Sequence, residues 1–137
     1  MIRIVDSSVA CKWFTGEDGH QAAQGLLSEP SVLVAPSLLL FEVANVFWKK
    51  QRLGEIDEDT RKDAVEHLRR SETLELVGPR PLIGRAVSIA GALAHPAYDC
   101  FYLACAELFG ARCVTADRRM LKSVAGTPFA HLAEPLD

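Results

Sequence analysis

Short β-branched runs alternate along this chain with longer stretches of helical periodicity. Ile2 to Val5, Val32 to Ala35, Leu74 to Val77 and Arg112 to Ala116 read as strands, and a fifth is weakly signalled at Phe129 to Leu132. Between them the pattern predicts helices over Ser7 to Phe14, Glu17 to Leu27, Leu38 to about Arg52, Asp57 to Arg70, Pro81 to Ala94, Asp99 to Phe109 and Arg118 to Val124. Pro36 stops the second strand, Ser37 is the predicted N-cap of the helix after it, and Gly54 and Gly110 each end a helix. His95-Pro96 breaks the chain between the last two long helices. Strands alternating with helices predict an α/β fold with a central parallel sheet covered on both faces. With 137 residues and no internal repeat or linker, residues 1–137 are expected to form a single domain.

From Asp57 to Arg70, Val65 and Leu68 lie on one face, extended by Ala64, with charges elsewhere and acids in the first turn, which is an amphipathic surface helix. From Leu38 to Trp48 nearly every face is apolar, the pattern of burial all round or of a subunit interface, and it predicts self-association. Glu42 interrupts that stretch. A carboxylate taken out of water without a partner is costly or becomes neutral, so buried charges are normally paired or bound to metal. The bland alternative is a narrow solvent-facing stripe, because Glu42, Asn45 and Lys49 recur at i, i+3 and i+7. The apolar surroundings favour a functional Glu42.

Composition narrows the classes. Hydrophobic residues make up 49% of the chain, yet no apolar run approaches the roughly 20 residues of a membrane span. The amino end lacks the ordered regions of a signal peptide, so a soluble, cytoplasmic protein is expected. Cys11, Cys100, Cys105 and Cys113 form no C-x-x-C pair and are expected to be reduced core thiols. The four histidines, His20, His67, His95 and His131, lack the spacing of paired zinc ligands and are expected to be surface or structural. A net charge of -3 gives no general affinity for polyanions, so any nucleic-acid contact must be local. Lys12, Lys49, Arg118 and Arg119 are the candidate phosphate contacts, each equally compatible with a solvated surface, and Lys122 extends the last cluster.

In open α/β sheets ligands bind beyond the carboxyl ends of the strands. Asp6 directly follows the first strand and Asp117 follows the fourth, so parallel pairing puts both carboxylates on one edge of the sheet. Asp99 opens a helix too apolar to face water. Each of these aspartates also stands where an N-cap is favoured, and capping is compatible with ion binding because a helix N-terminus favours negative charge. Carboxylates converging with Glu42 would need a raised pKa or a hard divalent cation, and without His or Cys in the set Mg²⁺ or Mn²⁺ fits best. Ser7, Asn45 and Thr115 are candidates to support such a site by hydrogen bonding, and each also fits a local capping or packing role.

The chain resembles the PIN-domain nucleases in four short motifs in order: Ile4-Val5-Asp6-Ser7-Ser8, Phe41-Glu42-Val43-Ala44-Asn45, Tyr98-Asp99-Cys100-Phe101-Tyr102-Leu103-Ala104 and Val114-Thr115-Ala116-Asp117-Arg118-Arg119. The resemblance implies a three-layer α/β/α fold, and Asp6, Glu42, Asp99 and Asp117 as catalytic ligands of Mg²⁺ or Mn²⁺ in an endoribonuclease. A compact chain of this kind is similar to the VapC toxins of bacterial toxin–antitoxin pairs, which implies an RNA substrate, a homodimer and a VapB-like antitoxin partner. Other classes fit less well. A non-toxin PIN-like domain acting in RNA processing is the alternative, and a non-catalytic one that only binds RNA or protein would be favoured by loss of an acid, and none is lost. A receiver-type phosphoacceptor needs an acid pair at the first strand and a lysine after the last, and Ser8 breaks the Asp-x-Asp motif of a phosphatase.

Overall fold

The computed structural model describes residues 1–137 and contains the first four predicted strands and all seven predicted helices, with shifts at their ends. Strands β1 (Ile2–Val5), β2 (Val32–Pro36), β3 (Leu74–Val77), β4 (Cys113–Thr115) and β5 (Ala133–Pro135) form one five-stranded sheet in the order β3-β2-β1-β4-β5. All neighbours pair in parallel, with Ile4 opposite Val34 on one side and Val5 opposite Val114 on the other. Parallel strands must be buried on both faces, and β1 obeys this with Ile4 and Val5 at 0% exposure.

Seven helices cover the sheet: α1 (Ser7–Lys12), α2 (His20–Ser28), α3 (Leu38–Arg52), α4 (Glu58–Arg70), α5 (Arg80–Leu93), α6 (Ala97–Phe109) and α7 (Arg118–Val124). Helix α6 packs on β1, β2 and β4, with α5 alongside it. Its apolar sequence places Cys100, Tyr102, Leu103, Ala104, Cys105 and Ala106 all in the core. Helix α1 packs on both α2 and α3, α3 packs on α4, and α7 packs on β4 and β5, which completes a three-layer α/β/α arrangement.

Four expectations are corrected at the ends of elements. The run Phe129 to Leu132 is not a strand: Ala130–Leu132 is a 3₁₀ turn held by Leu132 N–H donating to Phe129 C=O at 2.9 Å, and β5 starts one residue later. Pro135, which lacks an N–H, is tolerated there because β5 is an edge strand. Helix α1 stops at Lys12, because Trp13 and Phe14 turn back onto the carbonyls three residues earlier and Thr15 Oγ1 donates to Cys11 C=O. Helix α2 begins at His20, preceded by Gly19 in the left-handed region at φ 89°. Ser37 caps nothing with its side chain, since its backbone is already helical where a cap is extended, and its N–H donates separately to Val77 C=O at 2.8 Å.

Helix α3 is also less buried than its sequence implies. Leu39, Val43 and Phe47, spaced four apart, face the core, whereas Phe41 is 74% and Trp48 57% exposed. In α4, Ala64 is buried and Leu68 packs against the core, but Val65 points outward.

Candidate active site

The strand order reverses between β1 and β4: the chain moves from β1 outward through β2 to β3, then returns to the other side for β4 and β5. That reversal opens a crevice at the carboxyl ends of the two central strands. Asp6 stands at the end of β1 and Asp117 two residues beyond β4. Both are N-caps, as sequence allowed: Asp6 Oδ1 accepts from Val9 N–H at 3.2 Å, and Asp117 Oδ1 accepts from Arg119 N–H at 2.9 Å.

Asp6 does more than cap. It is 4% exposed and carries no basic partner. Ser8 Oγ donates to its Oδ1 at 2.6 Å, and Thr115 Oγ1 donates to its Oδ2. Those hydroxyls in turn accept the Ala116 and Asp117 N–H groups at 3.0 and 2.9 Å, so the clamp on Asp6 ties the end of β1 to the loop after β4. Burial pushes the Asp6 carboxyl up to about 6, the three hydrogen bonds from Ser8, Thr115 and Val9 oppose that, and the Asp117 charge adds to it.

Glu42 arrives from α3 half-buried, and the buried Tyr102 of α6 donates its hydroxyl to Glu42 Oε1 at 2.5 Å. Burial raises the Glu42 pKa, the Tyr102 hydroxyl and nearby Ser7 oppose the rise, and Asp99 raises it further. Tyr102 itself is pushed upward by burial and then by the charges of Glu42 and Asp6. Asp99 is not an N-cap. Helix α6 starts at Ala97 after Pro96, so Asp99 falls inside the first turn, and its Oδ2 lies 2.7 Å from His95 Nε2. The reason is that Pro is well suited to helix entry and the helix runs back to it.

The four acids thus gather as two interacting pairs, Asp6 with Asp117 and Glu42 with Asp99. No lysine or arginine pairs with any of them, and the one basic side chain in contact is His95 on Asp99. An all-carboxylate donor set of this kind fits a hard divalent cation. Their side chains are nevertheless turned to hydroxyl, amide and imidazole donors, and no three Asp, Glu, His or Cys groups meet at one coordination point.

The remaining candidates distribute unevenly. Thr115 is fully buried on Asp6, and Ser7 stands beside Glu42. Asn45 is exposed on α3 and hydrogen-bonds none of the acids. Lys12 is tied down, donating to Asp18 C=O at 2.7 Å and pairing with Glu17 at 3.9 Å. Lys49, Arg118 and Arg119 are exposed. Sequence reasoning missed Ser8, Tyr102 and His95. The signals were present, since Ser8 lies two residues after Asp6, Tyr102 three residues after Asp99 and His95 four residues before it.

An open cleft of about 840 Å³ borders the Glu42 and Asp99 pair, lined also by His95, Pro96, Tyr98, Arg119, Lys122 and Ser123. Asp6 and Asp117 do not line it.

Known proteins are similar to this chain in sequence and fold. A family model described as the PIN domain matches residues 3–126. Ribonuclease VapC3 of Pyrobaculum aerophilum is 28% identical over 118 residues, which span 85% of this chain and 90% of that protein. Among solved structures, VapC20 of Mycobacterium tuberculosis, described as a Sarcin-Ricin loop cleaving toxin, is similar at a TM-score of 0.69 and 19% identity, over 91% of this chain and 95% of that one. VapBC2 of Rickettsia felis, solved bound to a DNA fragment from their promoter, is similar at a TM-score of 0.68 and 14% identity over 100% of both chains.

Proposed function

The chain belongs to the PIN-domain family, and from that premise we propose that it is a divalent-metal-dependent endoribonuclease that hydrolyses RNA phosphodiester bonds as the toxin of a VapBC-type toxin–antitoxin pair. The observation that carries this reading is the set of four acids without lysine or arginine partners at the switch point of the sheet. The similarity to ribonuclease VapC3 supports it.

Asp6, Glu42, Asp99 and Asp117 would hold Mg²⁺ or Mn²⁺. Such an ion, when bound, activates water as the nucleophile and neutralises charge developing on the phosphate. The protein's own work is to keep the carboxylates aimed and available. Ser8 and Thr115 hold both oxygens of Asp6, Tyr102 holds Glu42, and His95 holds Asp99. The donors on Asp6 and Glu42 favour the ionised forms of those two carboxylates and oppose the rise that burial causes.

Cleavage of an RNA substrate that requires Mg²⁺ or Mn²⁺ and stops with chelator is the direct test. Retention of that cleavage by both Asp6→Asn and Glu42→Gln would sink the reading. Tyr102→Phe keeps the ring in the core but removes the donor to Glu42, so we expect cleavage to fall by about 10- to 100-fold, as for lost outer-shell partners, with unfolding stability changed by about 1 kcal/mol. Steady-state cleavage beside a denaturant melt separates the two.

The same reading takes residues 1–137 as one catalytic domain, placed in the cytoplasm and paired with a VapB-like antitoxin. No helix is long and apolar enough to cross a membrane. The exposed Phe41 and Trp48 on α3 support a homodimer. A strictly monomeric protein at micromolar concentration would count against that part. A binding-only domain is the second reading, favoured by the absence of three converging ligand groups. Tight RNA binding without cleavage under any divalent ion would select it.

A further inference from the structure

We propose that Leu136 is a positioning residue of the acid site: it straps the turn before α2 to Thr115 and thereby keeps the Thr115 hydroxyl on Asp6. The consequence for ion affinity rests on the nuclease reading above, whereas the strap itself does not.

Thr115 is a junction of three bonds. Its hydroxyl donates to Asp6 Oδ2 and accepts the Asp117 N–H at 2.9 Å, and its carbonyl accepts the Leu136 N–H at 2.9 Å. Thr115 is fully buried, so water does not stand in for a bond that is lost. The carbonyl bond comes from the end of an edge strand. Strand β5 is three residues long and pairs only with β4, with Pro135 opposite Thr115. A short edge segment with few buried contacts opens more readily than the core, and its last residues open first unless they are anchored. Leu136 is that anchor. Its neighbours Pro135 and Asp137 are exposed, while Leu136 is half-buried and packs against the core.

The anchor point is Gly19, just before α2. A methyl group on Gly19 would stand 3.4 Å from Leu136 Cδ2 and 3.1 Å from Lys12 Cδ, so those two side chains occupy the space that a larger residue there would fill. Lys12 closes the same turn by donating to Asp18 C=O at 2.7 Å. Lys12, Gly19, Thr115 and Leu136 border one cleft of about 290 Å³, which shares no lining residue with the cleft of Glu42 and Asp99. Helix α1, capped by Asp6 and ending at Lys12, is therefore tied to β4 at both ends. The Thr115 hydroxyl ties its start, and Leu136 bridges its end to the Thr115 carbonyl. Truncating Leu136 releases the second tie and gives the Thr115 peptide freedom to shift, which misaims the donor that orients Asp6.

The test uses the full chain and two readouts, amide hydrogen exchange without added ion and binding of Mn²⁺ alone. Leu136→Ala is expected to speed exchange at the Ala116 and Asp117 amides by about tenfold, with the Ser37 amide, bonded to Val77 across the sheet, within about twofold of the parent. Mn²⁺ affinity should fall by about three- to tenfold, below the 10- to 100-fold expected of Thr115→Val, because Leu136 acts one step further from the ion. Since it acts through Thr115, adding Leu136→Ala to Thr115→Val should weaken Mn²⁺ binding by less than about twofold more. Leu136→Met, which restores an apolar anchor of similar volume, should return both readouts to within about twofold of the parent. Leu74→Ala, which truncates a buried residue of the opposite edge strand β3, should leave Mn²⁺ affinity within about twofold. The proposal is overturned if Leu136→Ala leaves Ala116 and Asp117 exchange unchanged, or if exchange rises equally at Ser37. It is also overturned if the effects of Leu136→Ala and Thr115→Val on Mn²⁺ add in full, if Leu136→Met behaves like Leu136→Ala, or if Leu74→Ala costs as much affinity. A parent chain that binds no Mn²⁺ and cuts no RNA sinks the nuclease reading instead, and exchange still decides the strap.

Discussion

Asp6→Asn is expected to lower RNA cleavage by about a thousandfold or more, the order that loss of several kcal/mol of metal-assisted stabilisation produces, while leaving the protein at least as stable as the parent at neutral pH. Most substitutions of a buried, fully hydrogen-bonded group destabilise, so the second half of this result is the informative one. Its cause is the sign of the pKa shift. Burial first, and Asp117 in addition, hold the folded-state Asp6 at about 6 against an ordinary 3.8. The folded state therefore binds the proton more tightly than the unfolded chain does. That contribution is fully present below about pH 4 and is lost as pH rises through about 6, where the ionised carboxylate costs the fold about 2 to 3 kcal/mol.

Asparagine removes the charge and with it that pH dependence. It also disturbs the Thr115 donation, which offsets part of the gain. In chelator, the parent should lose stability between pH 4 and 6 while the Asp6→Asn melting curve stays flatter across the same window. Added Mg²⁺ should then raise the midpoint of the parent and not of the variant. A variant that melts well below the parent at pH 8 would mean that Asp6 is mainly a structural cap.

Phe47→Ala should have the largest effect on stability. Phe47 is fully buried on α3 and meets Phe14 edge-on at 5.9 Å, and Phe14 in turn meets His67 of α4 at 5.4 Å. One ring thereby joins the end of α1 to α3 and, through Phe14, to α4. Truncating it removes the transfer energy and leaves a cavity, an expected loss of about 3 to 5 kcal/mol and a fall in melting midpoint of about 10 °C or more. Helix α3 also delivers Glu42, so cleavage should fall at temperatures where the core is still folded. A loss below about 1 kcal/mol would show that α3 is anchored elsewhere, through Leu39 and Val43.

Legibility from sequence follows physical locality. The central strands β1 and β4 were visible because they are short apolar runs rich in β-branched residues and buried in the sheet, and the helices because their apolar spacing is periodic. Element ends were less visible. Ser37 looks like a cap by residue type, yet its backbone is already helical, and its N–H donates to a strand partner forty residues on, at Val77. The fifth strand was placed on Phe129 to Leu132 because those residues are apolar, whereas Leu132 is buried from a 3₁₀ turn. Helix α3 looked buried all round because composition does not say which apolar face lacks a partner, and Phe41 and Trp48 turn out to be exposed.

Among the site residues, Glu42 was singled out because a charge inside an apolar stretch has no local explanation. Asp6 and Asp117 were legible as strand-end acids once the sheet was taken as parallel. Asp99 was legible as an acid at the head of an apolar helix, though its capping was misread because Pro96 sets the start of α6.

By itself the sequence determined the alternation of elements, the burial of the central strands and the identity of four acids, since each of these depends on residues within a few positions of one another. Only the tertiary structure decided how those acids are held and paired. Tyr102 reaches Glu42 across 60 positions and Thr115 reaches Asp6 across 109, and no local pattern encodes a hydrogen bond between groups so far apart in the chain. The cleft wall of Tyr98, Arg119 and Lys122 is likewise a product of folding, because α6 and α7 meet there only once β4 has paired with β1.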